Sequence, residues 1–198
     1  MRKINFKNDF GCHNTILKGM KNLHIGDWME CPDGDVEMFE VGQDIMITCN
    51  GKRIGIFRDT WKVGEDVAFL QTYKDAGYPA DHRVFGITSN GWNSKKSVVA
   101  EAMPIVLRVT ERCVAKLHDL TVQDLSDLGM NVNRSGAIEV RGDRGDLFLP
   151  ENLGGYCDPK EGALRLMFDV GVAKIRGCYD ENPAVLLYRF EVIRRDLV

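Results

Sequence analysis

Apolar and polar residues alternate with period two over several short stretches of this chain, the pattern of half-buried strands. After a short strand at Ile4 to Phe6, a helical period appears in which Cys12, Ile16 and Met20 recur four apart beside Leu17, with Asp9 placed to cap it. The strongest strand signal is Asp44 to Cys49 followed by Asn50-Gly51 and then Lys52 to Phe57. Asn-Gly suits the two left-handed positions of a type I′ turn, so these residues predict a β-hairpin. Asp66 to Tyr73 alternates Val67, Phe69 and Gln71 against Ala68, Leu70 and Thr72, which predicts a further strand.

Met103-Pro104 opens a long strand with Ile105, Leu107 and Val109 on one face, running on toward Leu117. A second helix is signalled by chemistry as well as period: Thr121 and Asp124 form an acidic capping box, Leu120 and Leu125 can staple it, and Gly129 can close it. Short strands are expected at Ala137 to Val140 and Leu147 to Leu149. The last strand, Ala184 to Ile193, carries Leu186, Tyr188, Phe190 and Val192 inward against Arg189 and Glu191. Many strands and two short helices, neither following a Gly-rich phosphate loop, predict an α+β fold built on a mixed β-barrel rather than a doubly wound sheet. Neither nucleotide-binding Gly-rich fingerprint occurs.

Composition narrows the class. The 198 residues are 44% hydrophobic, enough for one well-filled core, and a single domain is expected. No stretch approaches the roughly 20 apolar residues that span a bilayer, and the first residues lack the apolar segment of a secretory signal. We therefore expect a cytoplasmic protein without a membrane partner. The six cysteines are scattered, with no Cys-x-x-Cys pair and no His at zinc-ligand spacing, so neither a metal nor another cofactor is expected.

A net charge of −3 argues against gripping duplex DNA through its phosphates. The distribution is uneven. Residues 1 to 24 hold five basic residues against Asp9 alone, whereas Asp27, Glu30, Asp33, Asp35, Glu37, Glu40 and Asp44 follow one another with no Lys or Arg between them. That run reads as a solvated acidic loop, or else as a surface for a protein partner.

The order of motifs resembles the ASCH family, a branch of the PUA-like barrels, and especially its phage-borne members. Ile16-Leu17-Lys18-Gly19-Met20-Lys21-Asn22-Leu23-His24 looks like the family's Gly-x-Lys-x-x-Thr-x-Arg signature, and Val63 to Tyr73 resembles its "Gly-Asp, strand, Arg-Glu-Thr-Trp" segment. Met103-Pro104 with Leu107 to Thr110, and Leu117 to Thr121, resemble the strand and helix start that follow. Asp124 to Met130 is similar to the helix ending Glu-Gly, and Tyr179-Asp180-Glu181-Asn182-Pro183 looks like the closing "Trp-x-x-Asn-Pro" of the phage form. The resemblance covers most of the chain and leaves about 29–60 and 131–175 as insertions bearing hairpins.

The resemblance implies a PUA-like barrel that binds RNA, single-stranded DNA or a modified nucleotide in a cleft beside the Gly-x-Lys loop, in the cytoplasm of a bacterial host. The positions it points to are Lys21, Asn22, His24, Gln71, Tyr73 and Trp92, the aromatic ones because bases stack on aromatic faces. One branch of the family hydrolyses N4-acetylcytidine with a Lys, a Thr and a Glu. Those positions hold Lys21, His24 and Leu128 here. A hydrolase acting on a modified base or on RNA would use Lys21 and His24, with Asp124 or Asp127 as the acid. The structural alternatives are a solvated Lys21 after a helix end, a loop histidine at His24, and core roles for Trp28 and Tyr73. Asn182 before Pro183 should shape a turn, and Lys95-Lys96 could touch phosphate. A third reading is a phage factor that engages a host protein through the acidic stretch.

Overall fold

A computed structural model describes residues 1–4, 22–78, 89–132, 138–141, 147–148 and 158–195. The expected first helix, with Lys21, lies outside the described residues. Eleven strands are seen among them: β1 (Arg2–Ile4), β2 (Leu23–Met29), β3 (Val36–Val41), β4 (Asp44–Cys49), β5 (Lys52–Phe57), β6 (Asp66–Phe69), β7 (Ile105–Lys116), β8 (Asn131–Val132), β9 (Ile138–Arg141), β10 (Leu147–Phe148) and β11 (Ala184–Arg195). The helices are α1 (Ser89–Asn93), α2 (Val122–Asp127) and α3 (Pro159–Arg165), the last continuing as a π-helical turn over Leu166–Val172.

The chain divides into two compact units. The first comprises Met1–Lys7, Val63–Thr110 and Phe190–Val198, and the second Asn8–Lys62 and Glu111–Arg189. In the first unit, β1 runs parallel to β6 with Arg2 opposite Val67, and β6 runs antiparallel to β7 with Val67 opposite Leu107. Its core gathers Ala68, Leu70, Tyr73, Val98, Ala100, Ala102 and Met103.

In the second unit, β11 pairs antiparallel with β2. The β3-β4-β5 sheet belongs to the same unit, with Ile47 between Met38 and Gly55. Its hairpin turn is the one the sequence predicts: Asn50 and Gly51 both take positive φ, at 50° and 74°. The inner face of that sheet buries Ile45, Ile47, Cys49 and Phe57, all at 2% exposure or less. Leu117, Leu125, Leu128, Leu164 and Phe168 form the larger core beneath β2 and β11.

The fold is thus α+β with mixed sheets, as the strand pattern predicts, but among the described residues no sheet closes into a barrel. Period two in a sequence reports which face of a strand is covered and carries nothing about whether the first and last strands meet. The final strand also departs from simple alternation. Val185 and Leu187 are as buried as Leu186 and Tyr188, so both faces are covered from Ala184 to Tyr188.

The capping box of α2 forms as expected, with the Thr121 hydroxyl accepting from the Asp124 N–H at 3.1 Å and the Asp124 carboxylate accepting from the Thr121 N–H at 2.8 Å. Asn182 takes a left-handed φ of 45°, and its Oδ1 accepts from the His118 N–H at 2.8 Å. Asn tolerates that conformation better than most residues. The Asn-Pro step therefore turns the chain into β11 and ties it to the end of β7. No helix among the described residues is long and apolar enough to cross a membrane.

Candidate functional site

The residues following Lys21 enter β2 beside the end of α2, where the Asn22 N–H donates to the Asp127 carbonyl at 2.9 Å. Leu23 stands opposite Arg189 and His24 opposite Tyr188 on β11. The register then shifts, leaving Gly26 as the extra residue of β2. A side chain could not sit there: a Cβ on Gly26 would lie 2.4 Å from the Tyr188 ring. Glycine at this bulge lets the phenol cross the strand.

The Tyr188 hydroxyl accepts a hydrogen bond from the Trp61 N–H at 3.3 Å, and the two rings lie 4.7 Å apart. The His24 ring is 6.2 Å from Trp61 on a gently tilted plane. His24, Trp61 and Tyr188 therefore form a row in which Tyr188 is buried while His24 and Trp61 are half-buried. Arg112 anchors this row from below. Its guanidinium is 2% exposed and donates to the Thr60 hydroxyl at 2.8 Å, to the Trp61 carbonyl at 3.0 Å and to the Glu40 carboxylate. Trp61 is consequently held at both its N–H and its carbonyl, which fixes a half-open indole in place.

Next to Asn22 lies a cluster of charge. Arg189 pairs with Asp124 at 2.6 Å, with Glu111 at 3.3 Å and with Asp127. Burial favours the neutral form of Asp124, but its bonds to Thr121 and the Arg189 cation outweigh that and hold its carboxyl below the usual range. Asp124 thus stays ionised at neutral pH and has no proton to give. Leu128, where the family places a Glu, is 5% exposed and packs in the core with Leu23 and Ile25. An apolar residue at that position is explained by its inward packing.

The remaining expected residues belong to the first unit. Gln71 is buried, with its side-chain amide donating to the Asp75 carbonyl at 3.4 Å. Tyr73 is fully buried; its hydroxyl accepts from the Val99 N–H at 2.9 Å, and its ring meets Tyr78 edge to face. It is packed so closely that a Cβ on Gly91 would lie 2.2 Å from the ring. Trp92, on α1, is half-buried against the same core. The structure therefore brings Asn22 and His24 together in one unit and Gln71, Tyr73 and Trp92 in the other. Trp28, read above as a core candidate, packs edge to face on Phe168 at 5.7 Å.

Trp61, Tyr188 and Arg112 escape the sequence reading. Trp61, which follows the predicted hairpin, is given no role from the sequence. Tyr188 was read correctly as inward-facing, but its contact with Trp61 depends on a bulge that no local pattern announces. Much of the acidic stretch is tied down internally. The Asp27 carboxylate accepts from the Trp28 N–H, Glu37 from the Thr48 hydroxyl, Asp44 from the Asp59 N–H, and Glu40 holds Arg112. No group of three or more His, Cys, Asp or Glu among the described residues could hold a metal.

Protein-family models, curated proteins and solved structures were each compared with the chain, and none of them matches it.

Proposed function

We propose that this protein is a PUA-like module of the ASCH type, of phage origin and acting in the host cytoplasm, that binds an unpaired base of single-stranded RNA or DNA, or a modified nucleotide. The base stacks on Trp61 beside His24, and Asn22, which leads into β2, and Lys21, which precedes it in sequence, supply the polar contacts. The observation that carries this reading is the row His24, Trp61, Tyr188, in which a half-exposed indole is clamped from Tyr188 and Arg112. A pre-fixed aromatic face loses little entropy on stacking, and stacking tolerates any base.

Binding is favoured over hydrolysis because Asp124 and Asp127, the carboxylates considered as the acid, are committed to Arg189. A general acid must carry a proton at the working pH, and Asp124 is driven the other way. The carboxylates of Glu111, Asp124 and Asp127 around a single Arg189 also leave this corner negative. Phosphate contacts then fall to the basic residues that precede it in sequence, Lys18 and Lys21.

Polarisation of labelled short single strands tests the reading. Trp61→Ala should weaken binding by roughly tenfold or more, as loss of one base-stacking face does, and Lys21→Ala should flatten the salt dependence. Equal affinity of wild type and Trp61→Ala, with both folded by circular dichroism, would remove the proposed site.

A further inference from the structure

The second unit holds a cluster that plays no part in nucleotide binding. Cys31 follows β2 and Cys49 ends β4; both are buried, at 8% and 2% exposure. Each thiol donates to the same acceptor, the Pro32 carbonyl, at 3.4 Å. The Lys116 ammonium donates to that carbonyl at 2.6 Å and to the Cys31 carbonyl at 3.2 Å. Three donors thus converge on one oxygen, which brings two sulfurs and a cation together from three separate segments.

Lys116 is 6% exposed, and no carboxylate among the described residues forms an ion pair with it. Burying an ammonium without a counter-ion is costly, and backbone carbonyls offset only part of that cost. A thiolate formed beside it would supply the missing negative charge. Burial first, and then the hydrogen bond and charge of Cys31, push the Cys49 thiol above its ordinary value, while Lys116 acts in the opposite direction. The two thiols therefore sense each other directly, and loss of a proton from Cys49 is opposed. Only Cys31 lines the adjoining cavity of about 500 Å³, together with Glu30, Pro32, Ile54 and Glu181.

We propose that Cys31 and Cys49 are a peroxide-reactive dithiol, with Cys31 as the nucleophile, Cys49 as the resolving thiol and Lys116 as the positioning residue that stabilises the thiolate. The oxidant is hydrogen peroxide entering by the cavity. The Cys31 thiolate attacks one peroxide oxygen; the O–O bond breaks, the departing hydroxide takes up the proton released by the thiol and leaves as water, and Cys31 becomes a sulfenic acid. Cys49 sulfur then attacks the Cys31 sulfur, the S–O bond breaks, and the hydroxyl leaves with the Cys49 proton as a second water. Two thiols are oxidised by two electrons and one peroxide is reduced to two waters. The product joins the end of β2 to the end of β4, and a dithiol reductant reverses it.

The full-length protein treated with a small excess of hydrogen peroxide, then digested without reductant, should yield a Cys31–Cys49 linked peptide before any other cysteine changes. In Cys49→Ser the reaction should stop at a Cys31 sulfenic acid that dimedone captures. Lys116→Met should slow Cys31 alkylation at neutral pH by about tenfold, and Lys116→Arg should restore most of the rate. Cys31 and Cys49 both remaining alkylatable after peroxide has oxidised Cys113 or Cys178 would overturn the proposal. So would dimedone failing to mark Cys31 in Cys49→Ser. Should Lys116→Met not fold, the linked peptide from wild type and the Lys116→Arg rate still decide the matter.

Discussion

The two units handle polarity in opposite ways. In the first, no charged side chain is buried among the described residues: Arg108 with Asp66 at 2.8 Å has both side chains more than a third exposed, the N-terminal amine meets an exposed Glu101 at 3.0 Å, and Arg2 meets Glu65 at 3.5 Å with both partly exposed. In the second, cations are carried inward. Arg112 and Lys116 are buried and Arg189 is partly so, each ringed by specific acceptors. Inward charges rarely improve on a well-packed apolar core in stability, so their presence needs another reason. The first unit reads as a scaffold. The second, where buried cations hold the Trp61 carbonyl and the backbone between two thiols, is the part to which the proposed binding is assigned.

Removing those cations is the most direct way to break the contrast. Arg112→Ala should have the largest effect, about 3 kcal/mol of stability, since it deprives the Trp61 carbonyl of a donor, empties a buried site and cuts the tie to Glu40 on β3. Urea denaturation at neutral pH would measure it, and nucleotide affinity should fall with it. A loss no greater than that of an exposed Arg→Ala would mean the guanidinium is not an anchor.

Arg189→Ala comes next, at roughly 2 kcal/mol, because Asp124 and Asp127 are left as neighbouring, half-desolvated carboxylates. Its pH dependence sharpens the test. The folded-state Asp124 carboxyl is depressed below its ordinary value of 3.8, so its contribution is present above that pH and is lost as pH falls through the lower folded value. In Arg189→Ala that depression shrinks or reverses, so the variant's deficit should be largest near neutrality and smaller near pH 3. A deficit independent of pH would contradict the assignment.

How much of this was legible beforehand differs between the same two regions. The hairpin at Asn50-Gly51, the capping box at Thr121 and the turn at Asn182 were readable because each is a local choice made by a few adjacent residues. Openness of the sheets was not, since closure depends on strands far apart in sequence. The aromatic row was hidden for the same reason: Trp61 and Tyr188 are 127 residues apart, and their contact depends on the glycine bulge at Gly26. Tyr73 could be read in sequence as core or as a stacking face, with core preferred, and its full burial and its bond to Val99 make it core. Buried cations are the least legible of all, because alternation places Arg112 and Lys116 on the same face of β7 as the exposed Arg108 and Thr110.

Smaller changes probe the clamp and the scaffold. Tyr188→Phe deletes the acceptor for the Trp61 N–H while keeping the ring, and should destabilise by about 1 kcal/mol, the net value of one hydrogen bond. Its main effect should be a broadened Trp61 environment, visible as a red shift in emission. The smallest effect belongs to the first unit. The Arg108 guanidinium holds Asp66 below the usual carboxylate range, yet the pair is exposed, so Asp66→Asn should leave the urea midpoint almost unchanged and become undetectable at high salt. A large loss there would erase the distinction between scaffold and acting unit.

The central claim is that Trp61 is the face on which a base is held. The chain has three tryptophans, so Trp28→Phe combined with Trp92→Phe leaves Trp61 as the reporter. Titrating that variant with a short single-stranded oligonucleotide, while following emission and the polarisation of a label on the strand together, tests the claim directly. We predict saturable quenching that tracks the polarisation curve and weakens as salt rises. Polarisation that rises to saturation while Trp61 emission stays constant, or no binding at low salt, would contradict it.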